Sequence, residues 1–223
     1  MVKPGIDVEF SSLPKEIPIF PLSGALLLPG GQLPLNIFEP RYLQMVDAAL
    51  CAGRWFGMVQ PCQTNTETVS DIHPLFNTGC LGRITTFSET GDGRYLLSIL
   101  GVCRFKIKIE LSQPRGFRRI IPDYSEFSSD FGSNQLEVGE REALSNALRR
   151  YFKKDGYEVD WESMEKTSDE MFVTSVAMAC PLKPAEKQAL LEAPSLSART
   201  ACLIAILEIA NYDMGTQPGS IHH

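Results

Sequence analysis

The chain has 223 residues, of which 43% are hydrophobic and 22% charged, with a net charge of −6. That composition suits a packed globular protein and excludes collagenous, coiled-coil and disordered classes. The longest apolar runs, such as Cys202 to Leu207, stop well short of the roughly 18 residues a membrane helix needs, and Met1 to Phe10 carries Lys3, Asp7 and Glu9 where a secretory signal would be apolar. No membrane contact is therefore expected, and the cytoplasm is the expected compartment. The charge is unevenly spread: residues 1–78 carry 4 Lys/Arg and 7 Asp/Glu, residues 79–121 carry 8 and 3, and residues 122–223 carry 9 and 17. The basic middle keeps nucleic acid in view, whereas the acidic whole argues against a dedicated nucleic-acid binder.

Short apolar stretches punctuated by Gly, Pro, Asn and Asp predict a β-rich region over residues 1–122. Glu16 to Phe20 and Gln32 to Ile37 read as strands, and Pro18 and Pro34, which have no N–H to donate, assign both to edges or bulges. Pro40 to Ala52 reads as a helix, with Pro40 suited to its first turn, Tyr42, Met45, Val46 and Ala49 on one face, and Gly53 closing it. A buried strand at Trp55 to Val59 precedes a polar loop at Pro61 to Thr78. Cys80 to Phe87 and Tyr95 to Leu100 flank a turn holding Gly91 and Gly93, as a hairpin requires. Phe105, Ile107, Ile109 and Leu111 alternate with Lys106, Lys108 and Glu110, which predicts one core face and one wet face. A turn at Gln113 to Gly116 and a strand at Phe117 to Ile121 complete a sheet expected to roll into a barrel or sandwich.

Residues 123–134, rich in serine, read as a linker, and from residue 135 the period is helical. Leu144, Ala147, Leu148, Tyr151 and Phe152 share a face in a helix of about 18 residues ending near Gly156. Ser168 caps the next, with Met171, Phe172, Ser175, Val176 and Ala179 expected inward. Pro184 to Glu192 and Ser195 to Met214 form the last two helices, so that residues 135–214 make a small bundle, and 215–223 read as a disordered tail. The fold class is α+β.

Little here points to catalysis. The six cysteines (Cys51, Cys62, Cys80, Cys103, Cys180, Cys202) are scattered singly, without metal spacing. His73 lies in a polar loop, and His222 and His223 sit at the extreme C-terminus. No G-x-x-x-x-G-K-[ST], G-x-S-x-G or H-E-x-x-H occurs, and pairs such as Glu140/Glu142 and Glu162/Glu165 fall in solvated helical stretches. Neither catalytic residues, nor metal ligands, nor a cofactor are expected, and the chain reads as a non-enzyme.

Four segments carry a family resemblance: Ile17-Pro-Ile-Phe-Pro-Leu-Ser23, Leu28-Pro-Gly30, Leu33-Pro-Leu-Asn-Ile-Phe-Glu-Pro-Arg-Tyr42 and Trp55-Phe-Gly-Met-Val59. Together they resemble the N-terminal domain of Lon proteases. Gly79-Cys-Leu-Gly-Arg-Ile84, Asp92-Gly-Arg94, Gly101-Val-Cys-Arg-Phe105 and Glu186-Lys-Gln-Ala-Leu-Leu-Glu192 with Arg199 extend the likeness to about residue 213. The resemblance implies a PUA-like β pseudo-barrel followed by a helical subdomain. It also implies recognition of protein substrates, which full-length Lon performs ahead of ATPase and Ser-Lys protease domains that have no counterpart here. A related module occurs in cereblon, whose zinc-bearing ligand domain is not matched by these cysteines. Within the family-like stretch, Glu39 is expected to meet free amides at a helix start, with Arg41 and Tyr42 tying that helix to the barrel.

Two functional readings follow. In the first, the chain is a non-catalytic module holding unfolded segments or a protein partner in apolar grooves between barrel and bundle, as an accessory to ATP-dependent proteolysis. Leu26, Leu27 and Leu28, beside Pro29-Gly30-Gly31, are either core or an exposed patch of the kind that marks such a surface. In the second, the PUA-like barrel binds RNA through Arg104, Lys106, Lys108, Arg115, Arg118 and Arg119. Phe105 and Phe117, which could otherwise stack on bases, read as core. A small-molecule enzyme would need a strongly perturbed His or carboxylate in a deep pocket.

Overall fold

The computed structural model describes residues 8–62, 73–112, 116–155, 161, 164 and 166–213. Its strands are β1 (Ile17–Pro21), β2 (Gln32–Ile37), β3 (Trp55–Val59), β4 (Thr78–Glu89), β5 (Tyr95–Leu111) and β6 (Arg119–Asp123). The α-helices are α1 (Pro40–Cys51), α2 (Glu140–Asp155), α3 (Asp169–Ala179), α4 (Pro184–Glu192) and α5 (Leu196–Asp213). Gly156, Arg115 and the 215–223 tail lie outside the described residues.

The strands run in the order β2-β5-β4-β3-β1-β6, and β6 also pairs with β5, which closes the sheet into a barrel. All pairings are antiparallel except β1 with β3. β2 stands outside the closed circle, paired on one side to β5. The prolines obey the donor rule: Pro34 is on this edge strand, and Pro18 precedes the first residue of β1 that pairs with β3, Ile19.

Tyr95–Leu111 is one strand and not two. Its first half pairs with β2 and its second with β6, while β4 follows it with register shifts at Leu81/Gly82 and Ile84/Thr86. A further shift against β6 at Ile107/Ile109 breaks the expected alternation, and Ile109 turns outward. Phe105 fills the middle of the barrel among Ile17, Ile19, Leu81 and Ile120. Its ring lies where a Cβ on Gly79 would be, 2.5 Å from Phe105 Cζ, so a larger residue there would displace it. The segment read as a linker is packed: a 3-10 helix at Ser125–Phe131 buries Phe127, Asp130 and Phe131, and Phe131 meets Phe10 edge-on at 5.6 Å.

A second core lies outside the barrel wall, where Phe20, Leu27, Phe56 and Ile99 meet α1 and the bundle residues Leu144, Leu148, Phe172, Leu203 and Leu207. Barrel and bundle thus share one apolar interior. The α3 phase differs from expectation: Phe172, Val173, Val176 and Ala177 are buried, while Met171, Ser175 and Ala179 are exposed. With apolar residues on every side of this helix, periodicity cannot choose its buried face.

The start of α3 is fixed as the sequence suggests, with Ser168 Oγ accepting from Met171 N at 3.3 Å. Asp169 beside it accepts from Arg141 Nη1 at 2.6 Å and from Leu136 N at 3.1 Å. The Arg141 hydrogen bond, followed by the Leu136 amide, holds the Asp169 carboxyl below its ordinary value of 3.8. Because the folded pKa is depressed, this stabilisation is present above the unfolded value and is lost as the pH falls through the folded one. Asp169→Asn is expected to lower the melting temperature at pH 7, with the two proteins converging as the pH drops below 3.8; thermal scans across pH check it.

Candidate functional site

A polar seam fastens α4 to the barrel. Gln60, buried at the end of β3, donates through Nε2 to Pro184 O at 3.0 Å and to Gln188 Oε1 at 3.2 Å. Gln188 Nε2 reaches Thr78 O at 3.2 Å, and Lys187 Nζ reaches Gly24 O at 2.7 Å. At the far end Arg104, from β5, pairs with Asp130 (Nη2–Oδ1 2.8 Å) and donates through Nη1 to the carbonyls of Leu191 at 3.1 Å and Ala193 at 2.6 Å. Arg199 donates through Nε to Leu190 O at 2.9 Å, and its burial, then the neighbouring Arg104, lower its pKa to about 10. Lys187, Gln188 and Leu191 belong to the family-like Glu186–Glu192 stretch and hold the two halves together, whereas Arg199 ties α5 to α4 within the bundle.

The basic cluster is consumed in the same way. Arg104 is 3% exposed and cannot reach a phosphate. Arg118 is paired with Glu110 (Nε–Oε1 2.7 Å) and donates to His73 O, and Arg119 is paired with Glu16. Lys106 Nζ turns to Thr78 Oγ1 at 2.8 Å, leaving Lys108 exposed, and Arg115 lies outside the described residues. Phe105 and Phe117 are core, as expected, and so provide no stacking platform. Among the described residues, those proposed for RNA are not assembled into a basic face, and the RNA alternative is without support.

Of the two readings open for Leu26, Leu27 and Leu28, the structure has core and not a surface patch: none is more than 2% exposed. They pass over β5, where Gly30 N donates to Gly101 O and Gly101 N to Gly31 O, each at 2.8 Å. The Leu28 carbonyl approaches Gly101 so closely that a Cβ there would lie 2.1 Å from it. The Glu39 side chain makes no capping hydrogen bond; it pairs with Arg41 (2.8 Å), whose guanidinium lies over Tyr42, while Tyr42 packs on Phe20 of β1 at 4.4 Å between centroids. Of the two residues expected to tie α1 to the barrel, Tyr42 does so, helped by Asp47, which accepts from Tyr95 Oη at 3.0 Å.

The apolar surface is found elsewhere. A groove of about 660 Å³ has one wall formed by Gly30 to Pro34 with Leu100, and the other by Met171, Thr174, Ser175, Met178 and Ala179 of α3. The two walls meet at Gly31, where a Cβ would lie 2.2 Å from Met178 Sδ. A second concavity of about 480 Å³ lies over the outer face of β2, β5 and β4, lined by Pro34, Asn36, Thr86, Phe87, Leu96 and Ser98 among others. Pro34 belongs to both, so the two make one track along β2. Met171 (42% exposed) in the first, and Leu96 (46%) and Phe87 (38%) in the second, are large apolar side chains left in water. No lining residue of either concavity is ionisable. The first groove lies between barrel and bundle, on residues that sequence reasoning does not single out, with Met171, expected inward, on its wall; the second lies on the sheet alone.

Among the described residues no group of His, Cys, Asp and Glu is arranged to hold a metal, and no helix is long and apolar enough to cross a membrane. The cysteines are all free; burial raises Cys180 to about 11, which leaves it protonated and unreactive at neutral pH.

Residues 16–208 match the family model of the ATP-dependent protease La (LON) substrate-binding domain. Lon protease 2 of Myxococcus xanthus is 25% identical over 214 residues, covering 93% of this chain and 25% of that protein. The Lon protease of Escherichia coli (strain K12) is 25% identical over 195 residues, covering 86% of this chain and 24% of that protein. The chain therefore spans about a quarter of the length of these relatives. Among solved structures, a Lon N-terminal domain protein from Xanthomonas campestris superposes with a TM-score of 0.61 at 23% identity, over 85% of this chain and 97% of that one. The N-terminal domain of the Mycobacterium avium complex Lon protease gives 0.60 at 16%, over 87% and 98%. These two likenesses establish the α+β fold.

Proposed function

Because the chain belongs to the family of Lon substrate-binding domains, matched from residue 16 to 208, we propose that it binds unfolded polypeptide segments along the β2 track, without catalysis, in the service of ATP-dependent proteolysis. The observation that carries this reading is the ion-free track itself, with Met171, Leu96 and Phe87 held in water along it. Such side chains gain from meeting the apolar residues that unfolding exposes, and a surface without charges imposes no desolvation of ions when covered.

Fluorescence anisotropy of a labelled, carboxymethylated, permanently unfolded polypeptide tests it at low and high salt. Saturable binding that survives salt is expected. Met171→Asp and Leu96→Asp are each expected to weaken it by about tenfold or more, the equivalent of one buried apolar side chain, with unchanged melting temperatures because both positions are exposed. Absence of binding, or full affinity in both variants, would overturn the proposal. A labelled RNA in the same assay is expected to remain free.

A further inference from the structure

We infer that the bound segment is an uncharged, extended stretch of polypeptide that adds to the sheet as a seventh strand on the open edge of β2; this rests on the polypeptide-binding reading above. The backbone phase of β2 follows from one hydrogen bond. Gly101 N donates to Gly31 O, and from there Gln32 pairs with Leu100, Leu33 with Ile99 and so on to Ile37 with Tyr95. In an antiparallel ladder, alternate residues turn their N–H and C=O toward the partner and the others turn them away. Positions 31, 33, 35 and 37 therefore face β5, and Gln32, Pro34 and Asn36 present their backbones outward. Pro34 checks the assignment, since a residue without an N–H sits at an outward position.

The outward edge offers two donors, from Gln32 and Asn36, and the carbonyls of Gln32, Pro34 and Asn36. Among the described residues no strand pairs with this side, and β2 is terminal in the strand order. Unpaired backbone is the element of recognition that is independent of sequence, and a site serving diverse unfolded chains needs that independence. The flanking groove supplies the rest: at about 3.4 Å per residue the six residues of β2 match a six-residue segment. Side chains of one parity would point between β2 and α3 toward Met171 and Met178. The absence of ionisable lining selects uncharged segments. Pro34 also serves the free protein, because a missing donor at the centre of the edge weakens pairing with a second copy.

The test leaves the protein intact. Labelled acetyl-Leu-Thr-Leu-Thr-Leu-Thr-amide is compared with two forms carrying backbone N-methyl groups on the leucines or on the threonines. A strand on β2 directs one set of amides to the protein and the other to solvent, and a slip by one residue would exchange its leucines for threonines in the groove. One methylated form is expected to lose about tenfold or more in affinity and the other less than about threefold. Asn36→Pro, which removes an outward donor without touching the β5 pairing, is expected to weaken the unmodified peptide likewise. Equal behaviour of both methylated forms would overturn strand addition while leaving polypeptide binding in place, and so would failure of the peptide to bind when the carboxymethylated polypeptide does. Failure of both ligands removes the underlying function. Sedimentation showing a dimer that the peptide dissolves would assign the edge to a second copy and overturn the inference.

Discussion

Replacing Arg104 by alanine is expected to cost about 3–5 kcal/mol, the range for removing one partner of a buried ion pair, and to lower the melting temperature by roughly 10–15 °C. Arg104 and Asp130 are 3% and 5% exposed, so the carboxylate left behind would be buried without its guanidinium. The carbonyls of Leu191 and Ala193 would lose their donor at the same time. Since whole-domain stability is about 5–15 kcal/mol, the loss is a large part of what holds the chain folded. Arg104→Lys should recover little, because one ammonium cannot span the carboxylate and two carbonyls that the planar fork reaches together. Arg104→Met combined with Asp130→Asn should be more stable than Arg104→Met alone, since it removes the charge that has lost its guanidinium. A double-mutant cycle by thermal and chemical denaturation checks both; additivity would mean that the pair is not the source of the effect.

Gly101→Ala is the second large effect, expected at about 3 kcal/mol for overpacking against groups that cannot turn aside. The obstruction is backbone: the new Cβ would lie 2.1 Å from the Leu28 oxygen and 2.8 Å from its carbonyl carbon. Relief requires the Leu26–Pro29 crossing to lift, which strips the two hydrogen bonds around Gly101 and exposes three leucines. The denaturation midpoint should fall accordingly, with little change in slope if folding stays two-state. Gly91→Ala in the hairpin turn, where nothing lies within 4 Å of the added Cβ, is the control and should shift little.

These two residues also mark the limit of what could be read from the chain. Hairpin glycines, Pro40 at a helix start, Gly53 after it with φ +85° and the Ser168 cap act through neighbours in sequence, and local patterns reveal them. Arg104 acts through Asp130 and through carbonyls 87 and 89 residues away, so on its own strand it looks like one more member of a basic run. Gly101 reads as a break because glycine weakens strands, yet it is the point where a second segment crosses the sheet. The leucine triplet could be core or patch by composition, and what decides is that crossing. The same holds for the groove: a cleft between barrel and bundle was part of the polypeptide-binding reading, but its lining depends on the rotation of α3, which an all-round apolar helix does not declare.

Closure of the barrel has a bearing on how the protein is made. β1 is synthesised first, yet one of its partners is β6, about a hundred residues later, with Ile17 opposite Ile120. Until that partner leaves the ribosome, β1 and the second half of β5 carry open ladders, and Arg104 waits longer still for the carbonyls of α4. Pairings so distant in sequence make for slow folding and a long exposure of unpaired edges during synthesis. The barrel thus stays open until β6 has been translated, and its seam with the bundle stays unfastened until α4 has followed.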